Sequence, residues 1–129
     1  MLQLKRIHHI AIICSNYNAS RLFYTEVLGL TVLKETYRKE RDSYKLDLSL
    51  NGQYCIELFS FSNPPARLTR PEATGLRHLA FEVDDIKMAV TQLNEKNVIA
   101  ETIRTDEFTG KQFTFIFDPD NLPIELYQK

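Results

Sequence analysis

The chain has 129 residues, 43% of them hydrophobic and 26% charged, and sixteen basic residues against seventeen acidic ones give a formal net charge of -1. That is one domain's worth of chain with enough length to bury a core, and the balanced charge excludes the basic stripe with which proteins meet nucleic acid or an anionic membrane. No apolar run approaches the ~20 residues that cross a bilayer.

In chain order, MLQLKRIHHIAII carries a short apolar stretch with no small-residue cleavage site after it, so it reads as a strand of a cytoplasmic protein. Residues 17–28 form a helical pattern, with Ala19, Leu22, Phe23 and Val27 at helical spacing. Cap-type Ser15 and Asn16 precede it and Gly29 stops it. Strands are expected over 31–37, 44–50 and 53–61, the last two joined by Asn51-Gly52, a strong hairpin signal. Residues 62–75, SNPPARLTRPEATG, read as a linker. HLAFEV is a further strand, and 86–96 a helix with Ile86, Ala89, Val90 and Leu93 on its stripe, Asp84 or Asp85 at its cap and Asn97 at its end. Strands follow around 100–104, 112–118 and 122–127, with DPDN turning between the last two. Cys14 and Cys55 lack CxxC spacing and sit in strand-like runs, which predicts two reduced thiols.

The two halves repeat. HIA at His9 returns as HLA at His78, and IELF at Glu57 returns as IELY at Glu125, with separations of 69 and 68 residues. A capped helix occupies the same place between the members of each pair, so one domain over 1–129 is built of two βαβββ modules, 7–61 and 76–127, in an α+β fold.

Strand side chains alternate faces. Leu79, Phe81 and Val83 must face their helix, which sends His78 the other way; likewise Ile10 and Ile12 face the helix and His9 does not. Ile56, Leu58, Ile124 and Leu126 are helix-facing, leaving Glu57 and Glu125 on the far side. A single His or Glu on a strand is ordinarily a hydrogen-bonded or solvated residue, and His8, in step with Ile10, is such a case. Recurrence of both types at the same place in both halves points to ligands. If first and last strands are neighbours and the halves pair about a pseudo-twofold, two imidazoles and two carboxylates form a shell for Zn, Ni, Co, Mn or Fe(II).

The stretches HHIAII…FYTEVLGL, IELF, GLRHLAFEVDDI and FDPDNLPIELY resemble, over essentially the whole chain, the vicinal oxygen chelate (glyoxalase/bleomycin resistance/dioxygenase) superfamily, and within it the short bacterial glyoxalase I-like metalloproteins. The resemblance implies paired βαβββ modules whose sheet curls round a divalent metal, Ni or Zn foremost, held by His9, Glu57, His78 and Glu125. It also implies a homodimer acting on a small molecule. Glu at 57 favours the isomerase and lyase branch, because dioxygenases and fosfomycin enzymes use three ligands and epimerases typically carry Gln there. The implied activity is of the lactoylglutathione lyase type: a metal-stabilised enediolate, with Glu125 moving the proton next to the carbonyl and Glu57 assisting. An Fe(II) dioxygenase, an epimerase and a non-catalytic antibiotic- or toxin-binding protein are the alternatives. The family's glutathione-contacting Arg and Asn are replaced by Ile13 and Phe61. Arg38, Arg41, Lys45, Arg104 and Lys111 are candidates to receive an anionic substrate tail, and Phe59, Phe61 and Tyr127 to line a pocket wall.

Overall fold

Asn16 and Asp85 each start a helix, because a short side-chain oxygen can take the amides that the first turn leaves without partners. In the computed structural model, which describes residues 1–129, Asn16 Oδ1 accepts from the Ala19 amide at 3.0 Å, and Asp85 Oδ1 accepts from the Lys87 and Met88 amides at 2.9 and 3.0 Å. The chain divides into two compact units, Met1–Pro65 and Ala66–Lys129, with the boundary inside the stretch read as a linker.

The first unit runs β1 (Ile10–Cys14), α1 (Tyr17–Leu22), β2 (Thr31–Arg38), β3 (Ser43–Leu50) and β4 (Gln53–Ser60). The helix expected over 17–28 is α-helical only to Leu22 and continues as a π-helical turn, Phe23–Val27. The wider turn accommodates two consecutive inward rings, Phe23 and Tyr24, both buried. Gly29 then takes φ +76°, a left-handed value that suits glycine, and lets the Leu30 amide reach back to the Tyr24 carbonyl at 3.0 Å. Asn51 and Gly52, both at positive φ, make the tight turn between β3 and β4.

The second unit repeats the plan with β5 (Leu79–Val83), α2 (Ile86–Glu95), β6 (Arg104–Thr105), β7 (Gln112–Phe117) and β8 (Pro123–Gln128). Asn97 ends α2 as expected: it lies at φ 60°, its amide donates to Asn94 O at 3.0 Å, and the Val98 amide donates to Leu93 O at 2.9 Å. The strand expected around 100–104 shrinks to the two residues of β6. Upstream of it the Thr114 hydroxyl donates to the Glu101 carbonyl at 2.7 Å and the Glu101 amide donates to Phe115 O at 2.9 Å.

The sheets are four-stranded and mixed, in the equivalent orders β1-β4-β3-β2 and β5-β8-β7-β6. In each, the first strand runs parallel to the last and the other pairings are antiparallel. The helix-facing parity holds. Ile12, Ile56 and Leu58 are buried in the first unit, as are Leu79, Ile124 and Leu126 in the second, while Ala11, Ile13 and Ala80 are exposed. Cys14 and Cys55 are not in a disulfide. No helix is long and apolar enough to cross a membrane.

Candidate functional site

Parallel pairing of first and last strands sets Ala11 beside Glu57 and Ala80 beside Glu125. His9 and His78 lie two residues before those alanines, on the same face, just outside the strand starts. Each imidazole therefore meets its own module's carboxylate. His9 Nε2 stands 3.8 Å from Glu57 Oε1, and His78 Nε2 stands 3.0 Å from Glu125 Oε2. The carboxylates are the more enclosed members, with side chains 16% and 14% exposed. Two donors each ~2.1 Å from one ion stand about 3.0 Å apart at a right angle and about 3.4 Å apart in a tetrahedron. The second pair sits at the right-angle edge and the first slightly beyond the tetrahedral one. In donor type both pairs suit a divalent cation, but in spacing only the His78–Glu125 pair fits two adjacent corners of its shell; the His9–Glu57 pair stands wider than such an edge. The four predicted ligands are thus brought together two by two, one pair in each unit, and no group of three or more His, Cys, Asp or Glu donors forms.

The two glutamates have different surroundings. Glu57 Oε2 accepts from the Tyr54 hydroxyl at 3.0 Å and lies 3.3 Å from Lys45 Nζ. The same two groups hold Asp47 Oδ1, at 3.1 Å from Tyr54 and 2.6 Å from Lys45. Burial first, and then these two carboxylates, push the Tyr54 phenol above its ordinary range. The hydrogen bond to Asp47 is the main reason that the Lys45 ammonium is also raised. The Tyr54 ring stacks on His9 with centroids 5.2 Å apart. One oxygen of Glu57 is therefore engaged by the network and the other faces His9.

Around Glu125 the equivalent strand offers aromatic rings in place of charges. Phe115 is its cross-strand neighbour, where Asp47 is that of Glu57, and the Phe115 ring meets His78 edge-on at 5.3 Å. Beside His78 the second unit opens into a cavity of about 200 Å³.

Of the basic residues expected to receive an anion, Arg104 lines this cavity. Arg38 lies over Phe59 and Phe61, at 4.6 and 5.4 Å from their centroids, and donates to Ser43 Oγ at 2.6 Å. Lys111 Nζ donates to the Lys129 main-chain oxygen at 2.9 Å, and Arg41 sits in the exposed turn Lys39–Arg41. Tyr127 donates to Asp106 Oδ2 at 2.9 Å. His8, set aside by parity, has Nδ1 2.8 Å from His9 Nδ1. Sequence reasoning passed over Asp47 and Tyr54, whose role depends on register. It also passed over Arg67, Arg70 and Arg77, although three arginines crowded into the approach to His78 were a readable signal.

The sequence profile of the Glyoxalase/Bleomycin resistance protein/Dioxygenase superfamily matches residues 6–126. The uncharacterized protein YwkD of Bacillus subtilis (strain 168) is 65% identical over 126 residues, covering 98% of both chains. The mitochondrial methylmalonyl-CoA epimerase of Bos taurus is 31% identical over 133 residues, covering 97% of this chain and 75% of its own. The crystal structure of a glyoxalase family protein from Enterococcus faecalis superposes with a TM-score of 0.88 at 51% identity, covering 95% of this chain and 97% of that one. With the repeated βαβββ plan, these matches make the chain a member of the glyoxalase/bleomycin resistance protein/dioxygenase superfamily.

Proposed function

We propose that the protein is a divalent-metal-dependent enzyme that moves a proton on a carbon next to a carbonyl, in the glyoxalase I and epimerase branch of its superfamily. In this reading His9, Glu57, His78 and Glu125 are ligands to a divalent metal, nickel or zinc, and residues 1–129 are one domain of two modules. The observation that carries it is the repeat-related meeting of an imidazole and a carboxylate in each module, with a carboxylate at position 57 that a three-ligand dioxygenase has no need of. A homodimer is the proposed working form, supported by the unpaired edges that both sheets leave open.

The bound ion would supply Lewis-acid stabilisation of negative charge developing on a carbonyl oxygen. The chain's own residues divide the remaining work. Glu125, with aromatic neighbours in place of a lysine, is free to turn and take the proton next to the carbonyl, then return it. Glu57, tied through one oxygen to Tyr54 and Lys45, stays in place as a fixed carboxylate. Ile13 and Phe61, where glyoxalase I contacts glutathione, favour a carrier other than glutathione. The 31% identity to an epimerase supports an acyl thioester or a related α-substituted carbonyl compound.

The test is reconstitution of chelator-stripped protein with Ni, Co, Mn and Zn in turn, followed by NMR of α-proton exchange in D₂O. Substrates would be the methylglyoxal–glutathione hemithioacetal and a 2-methyl-branched acyl thioester. Exchange that needs one of the metals and disappears in Glu125→Gln is the expected result. Stoichiometric metal uptake with no exchange on any α-hydroxy or acyl carbonyl substrate would refute the enzymatic reading.

A further inference from the structure

We propose that the cavity beside His78 selects a substrate bearing an anionic group, a carboxylate or a phosphate, on a planar or apolar body, and that Arg104 and Arg70 grip that group. This deepens the functional reading above, and it rests on that reading for the identification of His78 as the reacting end of the cavity.

The charge balance of the walls comes first. Arg67, Arg70, Arg77 and Arg104 line the cavity against two glutamates, Glu72 and Glu101, so its field is positive. Two of the four arginines are already committed. Arg77 donates through Nε and Nη2 to Glu72 Oε1, at 3.0 and 2.6 Å. Arg67 donates to Thr69 Oγ1 at 2.8 Å and to Leu76 O at 2.9 Å, and Thr69 in turn donates to Asn121 O at 2.9 Å. Arg67 thereby pins its loop to the turn before β8.

Arg104 is held differently. Its guanidinium lies over Phe113 and Phe115, at 5.0 and 5.7 Å from the centroids, and Glu101 Oε1 stands 3.9 Å away, beyond hydrogen-bond reach. The rings hold the guanidinium without using its N–H donors, which leaves the fork able to meet an acid with two parallel bonds. Arg70 is an exposed member of the same wall.

The remaining lining gives the substrate its second property. Phe115, which meets both Arg104 and His78, lines the cavity with Phe117 and Pro123, an apolar surface suited to a flat or hydrocarbon segment. A volume of about 200 Å³ is below the ~300–1,000 Å³ that encloses a drug-sized ligand, so the cavity takes a small molecule or one end of a larger one. With the anion on Arg104, the rest of the bound group lies in a cavity whose wall includes His78.

The experiment is calorimetric titration of chelator-stripped, dialysed full-length protein with phenylacetate, phenyl phosphate and the neutral phenylacetamide. At least one acid should bind, with the amide at least tenfold weaker; whichever acid binds tighter separates carboxylate from phosphate substrates. Arg104→Gln should weaken the acid at least tenfold, with partial recovery in Arg104→Lys. Arg70→Gln, at an exposed position, should weaken it without any question of folding. The inference is overturned if no probe binds the wild type, if amide and acid bind equally, or if Arg70→Gln and a natively folded Arg104→Gln both keep wild-type affinity. Since the titration contains no metal, it is independent of the metal centre, which metal uptake by the same wild-type preparation tests separately.

Discussion

Glu125→Gln isolates the metal reading, because an amide of the same shape keeps the packing of β8 and removes only the charge that faces His78 Nε2 at 3.0 Å. Glu125 lies between buried Ile124 and Leu126, so the metal-free variant should keep its fold, with stability within about 1 kcal/mol of the wild type. The metal-loaded proteins should differ far more. At free metal 100 times its Kd, a ligand that binds only the folded chain adds about 2.7 kcal/mol, or about 10 °C in Tm for a chain of this size. Outer partners of metal ligands already cost ~10–100-fold in affinity when lost, and a ligand itself should cost at least the upper figure. A 100-fold weaker site leaves about 0.4 kcal/mol of stabilisation at the same free metal, under about 2 °C. Thermal unfolding followed by circular dichroism at buffered free Ni or Zn reads both states. Glu82→Gln, on the exposed side of β5, serves as control and should retain the full shift. A Glu125→Gln protein that keeps the full metal-induced shift would refute the assignment of Glu125 as a ligand.

Other expected outcomes follow from the packing and the caps. Asp85→Ala removes the oxygen that caps two amides of α2 and should cost about 1 kcal/mol in urea unfolding. Leu58→Ala empties a fully buried position on β4 and should cost about 2–5 kcal/mol, whereas Leu50→Ala, 39% exposed, should cost under about 1 kcal/mol; equal losses would mean that the core is not where β4 places it. Burial, and then the carboxylate of Glu35, hold the Tyr17 phenol above its ordinary range. Its contribution is therefore fully present below the unfolded value of about 10 and is lost as pH rises through the higher folded value. Tyr17→Phe should flatten the fall in stability on the alkaline side of pH 10, and an unchanged slope in denaturant titrations there would contradict the shift.

The opposite faces of HLAFEV and IELY were legible because side-chain alternation is a property of the extended backbone and needs no knowledge of neighbours. The caps at Asn16 and Asp85, the stop at Asn97 and the Asn51-Gly52 turn were legible for the same kind of reason, since each is a local solution to a few backbone groups. The internal repeat extended this reach, turning His and Glu residues that would individually mean little into two equivalent pairs.

Local chemistry does not determine which side chains meet across a sheet. The parallel pairing of β1 with β4 brings His9 to a glutamate 48 residues away, and the register of β3 on β4 sets Lys45 and Asp47 against that glutamate, which Tyr54 reaches from β4 itself. The matching register in the second unit sets Phe115 beside Glu125. The stretch at 62–75 looked like a plain linker, yet its Arg67 and Arg70 form part of a cavity wall. The sequence by itself determined the modules, their faces and the candidate ligands, because alternation and capping act over a few residues. Only the tertiary structure decided that one glutamate sits in a charged network and the other against aromatic rings, because strand register sums burial over whole faces and then assigns every cross-strand neighbour at once.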